Sequence, residues 1–242
     1  MKKKIIENIK TLFYALVIAL IIRSLFFQPF YIPSSSMEPN LLIGDRLFVS
    51  KYTYGYSRHS LPFSPKIYSK RIFEKTPERG DVIVFKTPAD NRTDYIKRLI
   101  GLPGDIVQII DQELYLNNIK IHRTKIENLS EINCGNQILD VSFFEEMLPN
   151  GKKHVIAYRN DGSMKNTDKF IVPKNHYFFM GDNRDCSRDS RFLSSVGYVD
   201  FNNLVGKARI IFFSNDSKKY SFFKFWRWNK SLRMNRFLKK IN

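Results

Sequence analysis

The chain has 242 residues, of which 43% are hydrophobic and 14% aromatic, so it can build a core and wholesale disorder is excluded. The formal net charge is +17, because 40 lysine and arginine residues outnumber 23 aspartate and glutamate residues. The excess is uneven, since residues 217–242 contain nine basic residues and no acidic one. This pattern predicts an anionic partner, which is either a lipid surface or a nucleic acid.

The first element in chain order is a hydrophobic run at residues 11–27, which follows a basic segment, residues 1–10, with four lysines. Its apolar side chains favour membrane insertion by about 5 kcal/mol, against a cost of about 3 kcal/mol for Arg23. The run reaches about 25 Å as a helix, enough for a short transmembrane anchor. The lysines place the N-terminus in the cytoplasm and the body outside. A cleaved secretory signal is the alternative, although the stretch after the run fits a cleavage region poorly.

Beyond residue 30 the sequence is typical of β structure. The dipeptide Gly-Asp occurs four times, and a short run rich in β-branched or apolar residues follows each of the first three. Glycine supplies the positive φ that a tight turn needs, so these runs predict strands. No helical periodicity alternates with the strands, which argues against a doubly wound fold. The predicted strands are residues 46–49, 82–85, 106–110, 177–180 and 208–213, with a hairpin turn at Asn117-Asn118.

The tail, residues 217–242, mixes aromatic and basic side chains, most densely at residues 222–228. Such a segment suits a membrane interface. A disordered basic tail and a nucleic-acid-binding arm are the alternatives, and the predicted location outside the cytoplasm disfavours the second.

Two cysteines, Cys134 and Cys186, are too few for a disulfide framework, and no Cys/His spacing predicts a zinc site. We interpret Cys186 as a small packing residue. A single bridge between the two cysteines is the disfavoured alternative.

Residues 33–39 are rich in serine and lie just beyond the predicted anchor. These serines are either turn fillers or the source of a nucleophile, and a nucleophile needs a base. Lys97, in an apolar strand-like segment, would on its own be a solvated strand lysine. As a base it must be neutral, which costs more than about 4 kcal/mol at pH 7 unless burial lowers its pKa. No motif accompanies the four histidines, which we interpret as structural: His59, His122, His154 and His176.

Four blocks of residues occur in a fixed order along the chain. They are Pro33-Ser34-Ser35-Ser36-Met37-Glu38-Pro39-Asn40-Leu41 with Gly44-Asp45, Gly80-Asp81-Val82-Ile83-Val84-Phe85, Tyr95-Ile96-Lys97-Arg98 through Gly104-Asp105, and Gly181-Asp182-Asn183-Arg184-Asp185-Cys186-Ser187-Arg188-Asp189-Ser190-Arg191. In these blocks, of which the fourth is the most specific, the chain resembles the bacterial type I signal peptidases, which are membrane-bound Ser/Lys endopeptidases. Residues 122–172 match that family poorly apart from a Leu-Pro-Asn-Gly turn.

The resemblance implies four roles in catalysis. Ser36 is the nucleophile, and Lys97 is the general base that takes its proton and later activates the deacylating water. Ser34 places its hydroxyl in the oxyanion hole beside the backbone N–H of Ser36. Ser187 forms a hydrogen bond with the amine of Lys97 and orients it.

Four charged residues of the last block are expected to form a structural scaffold rather than to act in catalysis. They would hold the segments that bear Ser36 and Lys97, and they are Asp182, Arg184, Asp189 and Arg191.

The resemblance further implies substrates, location and fold. The substrates are exported preproteins with small residues at positions −1 and −3 of the cleavage site, bound as an added strand. No metal or cofactor is required. Anionic membrane lipids are expected partners, and nucleic acid is not an expected partner. The body lies at the outer face of the inner membrane. A self-cleaving Ser/Lys peptidase of the SOS-repressor type is the nearest rival, and a noncatalytic basic membrane-interaction protein is a more distant one.

The expected fold is mainly β, with an antiparallel-sheet catalytic core, an inserted smaller β subdomain and one N-terminal transmembrane helix. The core is predicted at residues 33–104 and 173–215, and the insertion at residues 105–172.

Overall fold

The computed structural model describes residues 2–65, 70–135, 137–160, 162, 164–216 and 231–241, without the side chains of residue 2 and of residues 127–130. The first element is the helix α1, Lys2–Leu25. Its residues 3–25 are long and apolar enough to cross a membrane, and nearly all of them are exposed, although Ser24 in the last turn is buried. The helix begins before the predicted anchor and ends at Leu25, because residues 27–31 extend into a strand that contains Pro29.

The main sheet has eight strands: β1 (Phe27–Tyr31), β2 (Asp45–Ser50), β3 (Val82–Lys86), β4 (Asp94–Gly101), β12 (His176–Met180), β13 (Val199–Asp200), β14 (Leu204–Ser214) and β15 (Lys239–Lys240). Their order is β1-β2-β14-β3-β4-β12-β13, with β15 paired to β14. The strands of this sheet pair antiparallel. The predicted mainly β, antiparallel fold class with an N-terminal apolar helix is confirmed.

Two smaller sheets are formed by the residues between β4 and β12. Their strands are β5 (Ile106–Ile110), β6 (Glu113–Leu116), β7 (Ile119–Lys120), β8 (His122–Cys134), β9 (Gln137–Met147), β10 (Lys153–Arg159) and β11 (Phe170–Ile171). A four-stranded sheet has the order β11-β5-β6-β7, and a three-stranded sheet has the order β10-β9-β8.

The first three Gly-Asp pairs form turns of one kind. Their glycines, Gly44, Gly80 and Gly104, have φ values of 96°, 89° and 90°. In each turn the following aspartate accepts a hydrogen bond from the backbone N–H three residues earlier, at 2.8 Å for Asp45 and 2.6 Å for Asp105. In these turns the glycine therefore supplies the positive φ, and the aspartate carboxylate accepts the hydrogen bond that closes the turn.

Part of the predicted basic tail packs on the main sheet. Ile210 of β14 pairs with Lys240 of β15, and Ile241 packs against a hydrophobic core cluster. Arg236 forms an ion pair with the fully buried Asp45 at 2.5 Å. Residues 217–230, including the predicted aromatic segment, lie outside the described residues.

The expectation of two unpaired cysteines is wrong, because Cys134 and Cys186 form a disulfide. Cys134 lies at the end of β8, where this strand turns into β9, and Cys186 lies in the loop after β12. A separation of 52 residues gives no local signal of this contact. The β8–β9 hairpin brings the two residues together. The sequence did not predict this hairpin, because its segment is polar and weakly patterned.

Candidate active site

Ser36 and Lys97 meet although 61 residues separate them. The Nζ of Lys97 donates a hydrogen bond to the Oγ of Ser36 at 2.5 Å and one to the carbonyl oxygen of Ile96 at 3.0 Å. Lys97 lies on β4, where it pairs with Ile83 of β3. Ser36 lies in the turn after β1, and its neighbour Met37 fixes that turn by packing into the core with 1% of its surface exposed. The predicted nucleophile and base are therefore in contact.

Burial prepares the Lys97 amine for accepting a proton. Only 3% of the residue is exposed, and removal from water lowers its pKa to about 8, while Asp189 and Asp182 act in the opposite direction. At pH 7 about one amine in ten is then neutral, so the cost of the neutral form falls to about 1.4 kcal/mol.

Ser34 lies beside the nucleophile. Its Oγ is 3.3 Å from the Oγ of Ser36, and its side chain is exposed at the cleft. Within the described residues, the backbone N–H of Ser36 donates no hydrogen bond to another protein group. A hydroxyl and an N–H near one nucleophile are the donor pair that an oxyanion hole needs.

Ser187 is placed near this pair but does not make the predicted contact. Its hydroxyl is buried, favours the charged form of Asp189, and forms no hydrogen bond to Lys97 among the described residues. It packs against Gly181, where any side chain would overlap both this hydroxyl and the carbonyl oxygen of Ser36. The fourth Gly-Asp pair therefore needs its glycine for close approach and not for a positive φ.

The buried scaffold reaches the catalytic segments directly. Asp182 accepts hydrogen bonds from Arg98, the neighbour of Lys97, at 2.8 and 2.9 Å, and from Asn40 at 2.7 Å. Asn183 donates to the carbonyl oxygens of Ser35 and Ser36 at 3.1 and 3.2 Å. The block after β12 thus holds the serine turn and β4 in one arrangement.

The other predicted scaffold residues extend this network. Asp189 accepts from the backbone N–H of Gly181 at 2.9 Å and pairs with Arg191 at 2.8 Å. Arg191 also donates to the carbonyl oxygen of Arg184 at 2.5 Å. Arg184 is paired with Glu146 of β9, at 2.5 and 2.9 Å. Sequence reasoning missed this last partner, because no motif surrounds it.

Charge pairing makes these buried carboxylates stable as anions. Burial alone would raise the pKa of Asp182, but Arg98 outweighs it and the pKa lies below the usual value. Arg191 has the same effect on the pKa of Asp189. These aspartates are therefore held as anions by their arginines.

None of the four histidines hydrogen-bonds Ser36 within the described residues. His154 pairs with Glu146 at 3.2 Å, and burial lowers the pKa of His59 to about 4. The described residues also contain no group of acidic, histidine and cysteine side chains that could hold a metal ion.

A cleft of about 590 Å³ is lined by Ser34, Ser36 and Lys97. Its walls come from residues 30–34 and residues 93–97, and the partly exposed Phe30 and Ile96 supply part of its apolar surface.

The chain matches known proteins along almost its whole length. A model of the family described as "Signal peptidase, peptidase S26" matches residues 5–213. A signal peptidase I from Rickettsia bellii (strain OSU 85-389) is 41% identical, over 96% of this chain and 84% of its own length. One from Rickettsia typhi is 38% identical, over 99% and 95%.

A crystal structure of a signal peptidase I from Enterococcus faecalis V583 is 27% identical and covers 55% of this chain and 97% of its own. Its TM-score is 0.33, and the overlap carries no argument about the fold. The family match and the two relatives together show that the chain belongs to the signal peptidase family, peptidase S26.

Proposed function

We propose that this chain is a membrane-anchored serine endopeptidase that removes signal peptides from preproteins, with Ser36 as nucleophile and Lys97 as general base. Membership in the family supports this endopeptidase activity, with signal-peptide-bearing preproteins as the substrates. The observation that carries the mechanism is the 2.5 Å contact between the buried amine of Lys97 and the hydroxyl of Ser36.

Acylation begins with the neutral amine. Lys97 takes the proton of the Ser36 hydroxyl while its oxygen attacks the scissile carbonyl carbon. The oxyanion that forms is stabilised by the N–H of Ser36 and the hydroxyl of Ser34. When the tetrahedral intermediate collapses, the C–N bond breaks and the ammonium of Lys97 returns the proton to the departing amine.

Deacylation repeats the sequence with water. The amine of Lys97, neutral again, takes a proton from a water molecule that attacks the ester carbonyl of Ser36. Collapse breaks the ester bond, and the proton passes to the oxygen of Ser36.

The substrate would lie extended in the cleft between residues 30–34 and residues 93–97. An extended peptide pairs with exposed backbone and alternates its side chains. Side chains two residues apart then point to the same wall, which suits a requirement for small residues at positions −1 and −3. Substrate binding in this mode needs neither metal nor cofactor.

The exposed apolar helix α1 supports an anchor that crosses the inner membrane once, with the lysine-rich N-terminus in the cytoplasm. The disulfide between Cys134 and Cys186 supports a body on the outer face, since such bonds persist in oxidising compartments. The excess of basic residues would bind anionic lipids on that outer surface. Nucleic acid is not proposed as a partner.

Cleavage of an added preprotein by the purified full-length chain in detergent tests the proposal. We expect Ser36→Ala to lower cleavage about ten-thousandfold or more. Ser35→Ala is the matched control, because it removes the neighbouring hydroxyl and leaves the Ser36–Lys97 contact intact. Near-normal cleavage by the Ser36 variant would refute the mechanism, and cleavage of only the chain itself would favour the self-cleaving rival.

A further inference from the structure

A second cavity, of about 880 Å³, lies where the end of α1 meets the body. Five basic side chains from separate segments line it. They are Arg23 in the last turn of α1, Lys51 just after β2, Arg58 in the short turn Arg58–Ser60, Lys86 at the end of β3 and Arg92 in the loop between β3 and β4.

Two aspartates line the same cavity, and both already have partners. Asp94 pairs with Lys86 at 2.9 Å. Asp90 accepts hydrogen bonds from the backbone N–H groups of Arg92 and Thr93 at 2.8 and 3.0 Å, and so closes its own loop. Within the described residues, four cations of the cavity then have no carboxylate within ion-pair distance: Arg23, Lys51, Arg58 and Arg92.

Lys51 is the most unusual of these cations. Only 2% of it is exposed, and its amine donates to the carbonyl oxygens of His59 and Ser60 at 3.0 and 3.1 Å. An ammonium has three N–H donors, and these two acceptors are uncharged. Burial, with Arg23 nearby, lowers the pKa of Lys51 to about 8, because the more distant Asp94 acts in the opposite direction and does not offset the loss of water.

The position of the cavity relative to the membrane indicates which kind of anion it would bind. Arg23 belongs to the last turn of the exposed apolar helix, so a bilayer around α1 would place this guanidinium at headgroup depth. Phe63, on the cavity wall, is fully exposed, as aromatic residues are at a membrane interface. The anions concentrated at that depth are lipid phosphates, and arginine binds phosphate through paired N–H groups.

We propose that this cavity binds the phosphate headgroup of an anionic phospholipid. The inference rests on the proposed membrane anchoring and goes beyond it, because it assigns the lipid to named residues. The cavity shares Phe30 and Asp94 with the cleft that contains Ser36, so the bound headgroup lies against a wall of the substrate site.

Binding of short-chain phosphatidylglycerol to the full-length chain in an uncharged detergent tests the proposal, with short-chain phosphatidylcholine as the uncharged comparison. The test variant is Arg58→Gln/Arg92→Gln, which spares the buried Lys51 and so the fold. We expect saturable binding of phosphatidylglycerol, weakened at least about tenfold in this variant. The matched control is Lys169→Gln/Lys174→Gln, which removes two exposed charges outside the cavity and should bind as the wild type does.

Three results would overturn the inference. They are equal affinity of the wild type and the arginine variant, equally tight binding of phosphatidylcholine, and equally tight binding of inorganic phosphate alone, which would assign the cavity to a free anion. A thermal melt of each variant shows that it is folded. Failure of the proposed function would look different, because the wild type would then fail to cleave an added preprotein whatever its lipid binding.

Discussion

Lys97 and Lys51 are two buried lysines with the same perturbation and different neighbours. Each is almost inaccessible, and burial lowers the pKa of each to about 8. Lys97 is in contact with the hydroxyl of Ser36, whereas Lys51 contacts two backbone carbonyl oxygens. A lowered pKa therefore does not identify a general base. The neighbouring group decides whether a buried amine can transfer a proton or can only attract an anion.

The largest effect is expected at Lys97. Lys97→Met keeps the length of the side chain and removes the base, so kcat/KM for preprotein cleavage should fall about ten-thousandfold. Because base and nucleophile act as one unit, the double variant with Ser36→Ala should be no slower than either single variant. Lys174→Met, at an exposed position, is the control and should retain activity. If the double variant were slower than either single variant, with the two reductions in kcat/KM multiplied together, a shared proton-transfer step would be contradicted.

The scaffold under Lys97 should matter for stability. Asp182→Asn leaves the buried Arg98 without its carboxylate, and we expect the free energy of unfolding to fall by about 3–5 kcal/mol. Glu145→Gln is the control, because it breaks an exposed pair with Lys153 and should cost no more than about 1 kcal/mol. Denaturant unfolding in detergent measures both. Equal losses of unfolding free energy in the two variants would show that the buried Arg98–Asp182 pair stabilises the fold no more than an exposed pair does.

The disulfide should have a smaller effect on stability. It closes a sequence separation of 52 residues, and its removal in Cys134→Ser/Cys186→Ser should lower the free energy of unfolding by about 2–4 kcal/mol. A reducing agent should lower the melting temperature of the wild type and leave that of the double variant unchanged. Two free thiols in the unreduced wild type would show that the bond is not formed.

The sequence predicted the parts of the fold that local chemistry specifies. Gly44, Gly80 and Gly104 have the positive φ that was inferred from the Gly-Asp pairs, and strands follow them. Asn117 and Asn118 form the expected hairpin turn, with φ values of 53° and 64°. These features depend on a few neighbouring residues, so a single sequence contains them.

The sequence did not reveal what depends on distant contacts. The strands β8 and β9 are long, but β9 alternates poorly between exposed and buried positions, so no period of two was visible. The Cys134–Cys186 bond and the pairing of Arg184 with Glu146 both depend on where that hairpin packs. For the candidate site, the ordered motifs indicated Ser36 and Lys97, whereas the roles of Arg98 and Asn183 required coordinates.

The pH dependence of kcat/KM for preprotein cleavage tests the central claim most directly, because it reports the ionisation of the free enzyme. Lys97 must be neutral to act, so activity should rise about tenfold per pH unit on the acid side and level off above a pKa of about 8. Activity at pH 7 should be about one tenth of the plateau. A profile that shows no ionisation near 8 and rises only toward the ordinary lysine pKa, or one that is flat from pH 6 to 10, would contradict a buried, uncharged amine as the base.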